Sequence, residues 1–534
     1  MADDKVYLKG NVQFEPLFHN WYAWYLTVPP VTAALNVADR YLPIMKSYAN
    51  SPLMHAAAIK NPAMRGGPFI DLGGKRVDEV RQLIRDTESR SQPLLEFARA
   101  LKQLWALLLE KGTGMAMDRL YDEVPDPLKG YVELYYDLNH NPSYRVFESL
   151  VYRSEFYSED AQSVALSLIC RDRQRPFILS TPRLADPRIL QRKMTFSAPA
   201  LDDVFRSRRQ ATSYQKLADA MQIDAAADPL FRDLFTAEAP SPTEGRVPDE
   251  GTVRVRYYGH ACILIQSPKV SVMLDPIVSY TYENDLPRFT FEDLPDTIDY
   301  VLITHSHHDH IVLETLLQLR HKVKTVVVGR NCDGYPQDPS LQLALRKLGF
   351  PDVREVRDIE EIPIPDGCIT AIPFMGEHND LPIQSKNAYM VRIGPRSVLS
   401  IADSCNLDPR LYDHVMKVTG EADTLFLGME CEGAPPSWVY GPLFPKAVPR
   451  EIDRSRRARG CNFDEASALI ERFRFQEVYV YAMGQEPWLN HILDNEFSET
   501  SPSLLQSRRL IEQCRERGIA AESVYAKKEL IYRN

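Results

Sequence analysis

The chain has 534 residues, 44% of them hydrophobic and 25% charged, with a formal net charge of -10. It is too long for one ordinary core and suggests roughly two to four domains. Acid and base are mixed along it, which speaks against a nucleic-acid binder; the opening MADDKVYLKGNVQFEP lacks the basic and apolar regions of a signal peptide, and no apolar run is long enough to span a bilayer. The expectation is therefore a cytoplasmic protein with neither nucleic acid nor membrane as a partner.

In chain order, YLKGNVQFEP reads as a strand and turn. Helical spacing of apolar residues predicts helices over Val77–Arg85, Leu94–Lys111 and Ala161–Ile169. This first part carries no chemical motif: His19, His55 and His140 lie far apart with no carboxylate pattern near them. A structural or subunit-contact role is expected for it. The stretch TAEAPSPTEGRVPDEG, Thr236–Gly251, is rich in Pro, Gly and acid and reads as a linker. The division is thus a mixed α/β domain over 1–240, a linker at 241–251 and a second domain over 252–534.

The second part alternates strands and helices. VRVRYY, CILIQS, VSVMLDP, YVLITH, VKTVVVG, CITAIPF, NAYMVRIG, SVLSIADS, TLFLGM and EVYVYA read as strands. Helices are predicted at Val312–His321, Leu341–Leu348, Pro409–Val418, Phe463–Phe473 and Ser503–Arg515. This rhythm calls for an α/β sandwich of sheets with helices packed outside. The eight cysteines form no CxxC pair and are expected to be free thiols.

The chemistry is concentrated in VLITHSHHDHI, Val301–Ile311, where four histidines and one aspartate occupy six positions. They follow a strand and precede a helix, at the strand end where α/β architectures place their sites. On extended chain His305 and His307 face the same way and can grip one ion. As the chain turns, Asp309 and His310 can face a second. His308 falls on the opposite face and is assigned a structural role or one supporting a ligand. Imidazole and carboxylate suit both zinc and iron, whereas four imidazoles crowded without a metal would repel when charged.

HxHxDH after an apolar strand resembles the signature of the metallo-β-lactamase superfamily, and YYGHACILIQSPKVSVMLDP, Tyr257–Pro276, resembles its opening strands. The likeness covers roughly Thr252 to the end. It implies an αββα metallo-β-lactamase sandwich with a two-metal site at one edge, and places Asp275 as an aspartate supporting a ligand. It further implies Asp403, after VLSIA, as a bridging carboxylate and His491, in MGQEPWLNHI, as the last histidine ligand. The remaining ligand is normally a His after a Gly, but PFMGEHND offers two registers: Glu377 if the glycines correspond, His378 if the histidines do.

Glu377 matters because zinc hydrolases favour neutral imidazole, which leaves the metal a high effective charge to activate water. Glu377, Asp309 and Asp403 would together bring three negative charges, a set suited to iron. The arrangement, with a long first part, HSHHDH and then GEHND, resembles the di-iron β-hydroxylases of antibiotic biosynthesis, of which the chloramphenicol pathway supplies the type. That resemblance implies two Fe ions in an oxo- or hydroxo-bridged cluster, O2 as co-substrate and an external electron donor. His305, His307 and Glu377 would hold one iron, and Asp309, His310 and His491 the other, with Asp403 bridging. The substrate would be an aryl amino acid, L-p-aminophenylalanine in the type case, tethered as a thioester to a nonribosomal peptide synthetase carrier domain. The first part would aid substrate access and form a homodimer. The competing readings are a di-zinc hydrolase, thioesterase or lactonase, and a non-catalytic interaction protein, against which the full ligand set argues.

Two more stretches bear on substrate. PPSWVYGPLFP, Pro435–Pro445, places Trp438, Tyr440 and Phe444 in a loop that either lines an aryl slot or anchors itself to the core. KAVPREIDRSRRARG sets six bases (Lys446, Arg450, Arg454, Arg456, Arg457, Arg459) against Glu451 and Asp453, and could steer an acidic carrier domain.

Overall fold

The alternating apolar runs of the second part become two seven-stranded sheets in the computed structural model, which describes residues 4–241 and 249–533. In the first, the strands run in the order 353–356, 323–329, 298–302, 271–274, 262–266, 252–259 and 528–533. In the second the order is 361–364, 367–373, 387–393, 396–400, 424–428, 477–481 and 520–523. All ten strands expected there are present, and four more complete the edges: Val353–Val356, Glu361–Ile364, Ala520–Ser523 and Lys528–Arg533.

Ile263, Ile265, Val327, Val391, Val398 and Phe426 fill the space between the sheets. Helices Arg410–Thr419, Phe463–Ile470 and Pro502–Glu516 cover the outer face of the second sheet. Phe463–Ile470 begins with a capping box in which Asn462 and Glu465 each satisfy the other's backbone N–H, which fixes its start. The αββα sandwich is thereby formed. Among the described residues no helix is long and apolar enough to cross a membrane.

The first part is built on strands 12–18 and 162–168, paired antiparallel from Val12–Leu168 to Phe18–Gln162, and on helices Val77–Arg90 and Gln92–Lys111. The expected helix over Ala161–Ile169 is therefore corrected to the strand Gln162–Leu168. Its apolar spacing suits either element, and the fully buried strand Val12–Phe18 decides the outcome by offering a ladder partner along its length. Most of the proposed linker, 242–248, lies outside the described residues.

The two parts share a core. Phe14, Phe18 and Phe205 pack in one cluster with Val301, Ile303, Leu316 and Leu317. Helix Leu313–Leu319, which follows the histidine motif, is buried on every side. Two of its polar residues, Glu314 and Gln318, are matched from both parts. Glu314 accepts from Tyr22 Oη at 3.0 Å, Tyr280 Oη at 2.6 Å and Arg175 at 2.6 Å, and Gln318 accepts from Arg208 at 2.8 Å. A buried carboxylate without such partners would destabilise the fold strongly, so the first part is required for this helix to lie where it does. All eight cysteines are free; Cys170 is exposed, the others buried or half-buried.

Candidate metal centre

The motif loop leaves strand Ile298–Leu302 at the sheet edge, and one buried aspartate organises it. Asp275 accepts from the Thr304 backbone N–H at 2.7 Å and from Thr304 Oγ1 at 2.6 Å, and lies 2.9 Å from His310 Nδ1. This is the supporting role expected of it. Because Thr304 spends its single hydroxyl proton on Asp275, it can only accept from His305 Nδ1, at 3.0 Å. Nδ1 of each ring is thus the donor to this network, and Nε2 of each is turned towards the other donors of the site.

Three groups of donors converge, each with its atoms within 4.8 Å of one another: His305, His307 and Glu377; His305, His310 and Asp403; His260, Asp309 and His310. Asp403 Oδ2 lies 3.1 Å from His310 Nε2 and 3.8 Å from His305 Nε2, between the two outer groups. Six of the seven expected ligands, His305, His307, Asp309, His310, Glu377 and Asp403, are therefore brought together.

His491 falls in none of these groups. Its ring lies behind the motif loop, with Nε2 3.8 Å from Glu314 and an edge contact to Tyr22. Its backbone carbonyl accepts from Ile178 of the first part, which draws helix Asn490–Leu493 to that side. His260 stands beside Asp309 instead, its Nε2 3.1 Å from Asp309 Oδ2. It sits in the turn after the first strand of the domain, in YYGHAC, within the stretch that carries the superfamily likeness. That the histidine stands in a tight turn at a strand end was the available signal.

The geometry also separates Glu377 from His378. Glu377 Oε2 lies 2.9 Å from His307 Nδ1 and 2.9 Å from His378 Nδ1, but His378 joins none of the convergent groups and stacks on His307 at 4.3 Å. Burial, with the charge of His307 adding, pushes His378 down to about 3 and keeps it neutral. Gly376, Glu377, His378, Asn379 and Asp380 all have φ between 45° and 73°, a conformation that costs about 1–3 kcal/mol for each non-glycine residue. The loop is pinned to sustain it. Lys386 Nζ donates to the Gly376 carbonyl at 2.9 Å, Arg456 Nε donates to the Asn379 carbonyl at 2.7 Å, and Asn379 Nδ2 reaches the carbonyls of Ala434 and Arg456 at 3.1 Å each.

The electrostatics suit cations. Burial and three neighbouring imidazoles push His305 well below its ordinary pKa. Against burial, Asp309, Asp403 and Asp275 hold His310 up, and His307 and His378 hold Glu377 far down in its charged form. Buried His305 Nε2 and Asp403 Oδ1 have no hydrogen-bond partner, a costly state that a metal ion relieves. The donor set therefore fits two metals. His308 stands apart as expected: its Nε2 lies 3.1 Å from the Ile492 carbonyl and its ring abuts Trp24 and Trp438.

A cavity of about 1170 Å³ opens over these donors, lined by His260, His307, Asp309, Glu377 and Asp403 and by Phe69, Leu179 and Trp438. Of the three aromatics noted in the sequence, Trp438 walls the cavity and stacks on Phe177 at 5.4 Å. Tyr440 is buried with its hydroxyl 3.1 Å from His307 Nε2, and Phe444 packs against the core. Glu430, which sequence reasoning missed, also lines the cavity. Burial, against a hydrogen bond from Gly433, raises its carboxyl to about 7. Arg457 and Arg459 stand on the same wall.

Comparison with known proteins accords with this arrangement. Residues 7–240 match the family described as the diiron non-heme beta-hydroxylase N-terminal domain, and residues 254–372 match the beta-lactamase superfamily domain. The chain is 38% identical over 535 aligned residues, covering 98% of it and 99% of the relative, to a 4-amino-L-phenylalanyl-[CmlP-peptidyl-carrier-protein] 3-hydroxylase of Streptomyces venezuelae. It superposes with a TM-score of 0.92, at 37% identity and over 99% of this chain and 100% of the other, on the crystal structure of CmlA, a diiron beta-hydroxylase from Streptomyces venezuelae. A UPF0173 metal-dependent hydrolase of Flavobacterium johnsoniae is 26% identical over 168 residues, 28% of this chain and 70% of the relative. With a relative of this identity spanning both parts, the chain belongs to the diiron non-heme β-hydroxylase family.

Proposed function

We propose that this protein hydroxylates the β-carbon of an aryl amino acid, 4-amino-L-phenylalanine by likeness to its relative, while that amino acid is held as a thioester on a nonribosomal peptide synthetase carrier domain. Such a step belongs to antibiotic biosynthesis of the chloramphenicol type. The observation that carries the reading is Glu377: a charged carboxylate stands among the imidazoles and lines a cavity of about 1170 Å³.

His305, His307 and Glu377 would hold one iron, and His260, Asp309 and His310 the other, with Asp403 between them. Two irons held there would supply the redox chemistry for O2-dependent hydroxylation of the benzylic carbon, with two electrons from an external donor and the second oxygen atom leaving as water. The chain's own contribution is placement. Asp275 and Thr304 fix the donor atoms of His305 and His310, and Tyr440 does so for His307. Phe69, Leu179 and Trp438 offer an apolar wall that can hold the aryl ring and exclude water. No side chain need act as a nucleophile.

The basic run supports carrier docking. Lys446, Arg450, Arg454 and Arg457 are exposed, and Arg457 lies at the cavity, whereas Arg459 is held by Glu465 at 2.8 Å. A cytoplasmic setting and a homodimer through the first part complete the proposal. Leu53, Met54 and Ile59, exposed along helix Pro52–Ile59, form a surface that a second copy could cover. Sedimentation at micromolar concentration reads the dimer directly.

The hydrolase alternative is disfavoured, since the relative named a hydrolase matches 28% of this chain while the one matching 98% is named a hydroxylase. The decisive experiment supplies the iron-loaded enzyme with reductant, ¹⁸O2 and aminoacyl carrier domain. A β-hydroxylated acyl group bearing one ¹⁸O is expected. Zinc in the purified protein, with thioester cleavage that needs no reductant, would overturn the reading.

A further inference from the structure

The cavity contains one carboxylate that the metal centre does not use. Strand Thr424–Gly428 pairs in parallel with Arg396–Ser400, Ser400 opposite Phe426. The two chains therefore leave the sheet at the same edge, and Glu430 emerges beside Asp403. The spacing is close: a Cβ on Gly428 would fall 2.6 Å from Asp403 Oδ1.

Glu430 is held rigidly by one oxygen only. Its Oε2 accepts from the backbone N–H groups of Gly433 at 2.6 Å and Glu432 at 3.3 Å. Among the described residues no side chain donates to Glu430, and the nearby bases are committed elsewhere. Arg457 Nε donates to the Glu432 carbonyl at 3.2 Å, and Arg459 donates through two nitrogens to Glu465 at 2.8 Å each. The result is a fixed carboxylate with no cation opposite it, on the wall shared with His307, Asp309, Glu377 and Asp403. A half-buried carboxylate anchored by backbone N–H groups and without a side-chain donor is matched best by a cationic N–H donor.

We propose that Glu430 receives an amine of the substrate and so orients the acyl group beneath the metal centre. This rests on the aminoacyl-thioester reading above. That substrate has two amines: an α-ammonium, which carries charge, and an aryl amine, which is a weak base and neutral near pH 7. The charge argument favours the first.

The test compares the iron-loaded parent and Glu430→Gln on three loaded carrier domains: 4-aminophenylalanyl, phenylalanyl, which lacks the aryl amine, and 3-(4-aminophenyl)propionyl, which lacks the α-amine. Gln keeps an acceptor for Gly433 and Glu432 and removes only the charge. Loss of one charge-assisted hydrogen bond predicts KM for both α-amino substrates raised roughly ten- to a hundredfold, with KM for the deamino substrate unchanged. A KM change confined to the two substrates with an aryl amine assigns the contact to that amine instead. An equal change on all three, or none, overturns the proposal. Iron content and the absorption spectrum check that the centre is intact, and Glu430→Asp, which retains the charge, should recover part of the lost affinity. A parent that hydroxylates none of the three overturns the aminoacyl reading itself, an outcome separate from any effect at Glu430.

Discussion

The hydroxyl of Tyr440 lies 3.1 Å from Nε2 of His307, leaving Nδ1 of the same ring to face Glu377 at 2.9 Å. Tyr440 ends the short helix Pro436–Tyr440, and Arg40 of the first part donates to the carbonyls of Trp438 and Val439 at 2.8 and 2.9 Å. The first part thus reaches His307, one of the proposed iron ligands, through Arg40 and Tyr440. Tyr440→Phe should weaken iron binding roughly tenfold or more without changing the fold. Titration of the apoprotein with Fe(II) checks this, and parental affinity would remove Tyr440 from the centre.

His260 and His491 provide a second discrimination. His260→Ala should cost the position it shares with Asp309 and His310, lowering iron from about two per chain towards one. His491→Ala should leave iron content intact, because that ring faces Glu314 and Tyr22. Metal analysis of both variants decides; the reverse pattern would restore His491 to the centre.

Glu377→Ala removes the carboxylate from the His305–His307 group. Iron at that position should be lost or loosely held, and hydroxylation should fall by several orders of magnitude. Iron content and single-turnover product yield are the readouts. Full iron and an undiminished rate would refute the role given to this residue.

Glu148 predicts a pH dependence of stability. Its carboxylate reaches from the first part to the Ser340 N–H at 3.0 Å and Asn331 at 3.1 Å, and burial raises its pKa from 4.5 to about 7. Between those values the folded chain holds more protons than the unfolded one. Stability contributed by this group is present below pH 4.5 and is lost as pH rises through about 7, a change on the order of 3 kcal/mol. Glu148→Gln should therefore gain stability over the parent at pH 8 and match it more nearly at pH 5. Urea unfolding at the two pH values tests the sign.

Charge reversal in the basic run should act on docking alone. Arg456 is unsuitable, since it holds the Asn379 carbonyl in the strained Glu377 loop. Arg450, Arg454 and Arg457 are exposed. Changing the three to Glu should raise KM for loaded carrier domain severalfold at low salt, with the difference shrinking as salt rises. Iron content should be unaffected. An unchanged KM at low salt would exclude this run from the docking face.

The sequence by itself determined what is local. HSHHDH on one loop, with a strand before and a helix after, carries its chemistry in adjacent residues, so His305, His307, Asp309 and His310 were legible from spacing alone. The strand rhythm of the second part was legible for the same reason, because side-chain alternation is a property of each segment. What depended on distant partners was decided by tertiary structure. Segment 162–168 became a strand because Val12–Phe18 pairs with it. Glu377 was separated from His378 by a loop whose conformation is held by Lys386 and Arg456. His260 follows strand Thr252–Gly259 directly and His491 lies in helix Asn490–Leu493, and neither position by itself tells which ring meets Asp309. The helix bearing His491 is drawn towards the first part while the turn bearing His260 opens on Asp309, because ligation depends on where side chains meet in space and only the packed chain specifies that.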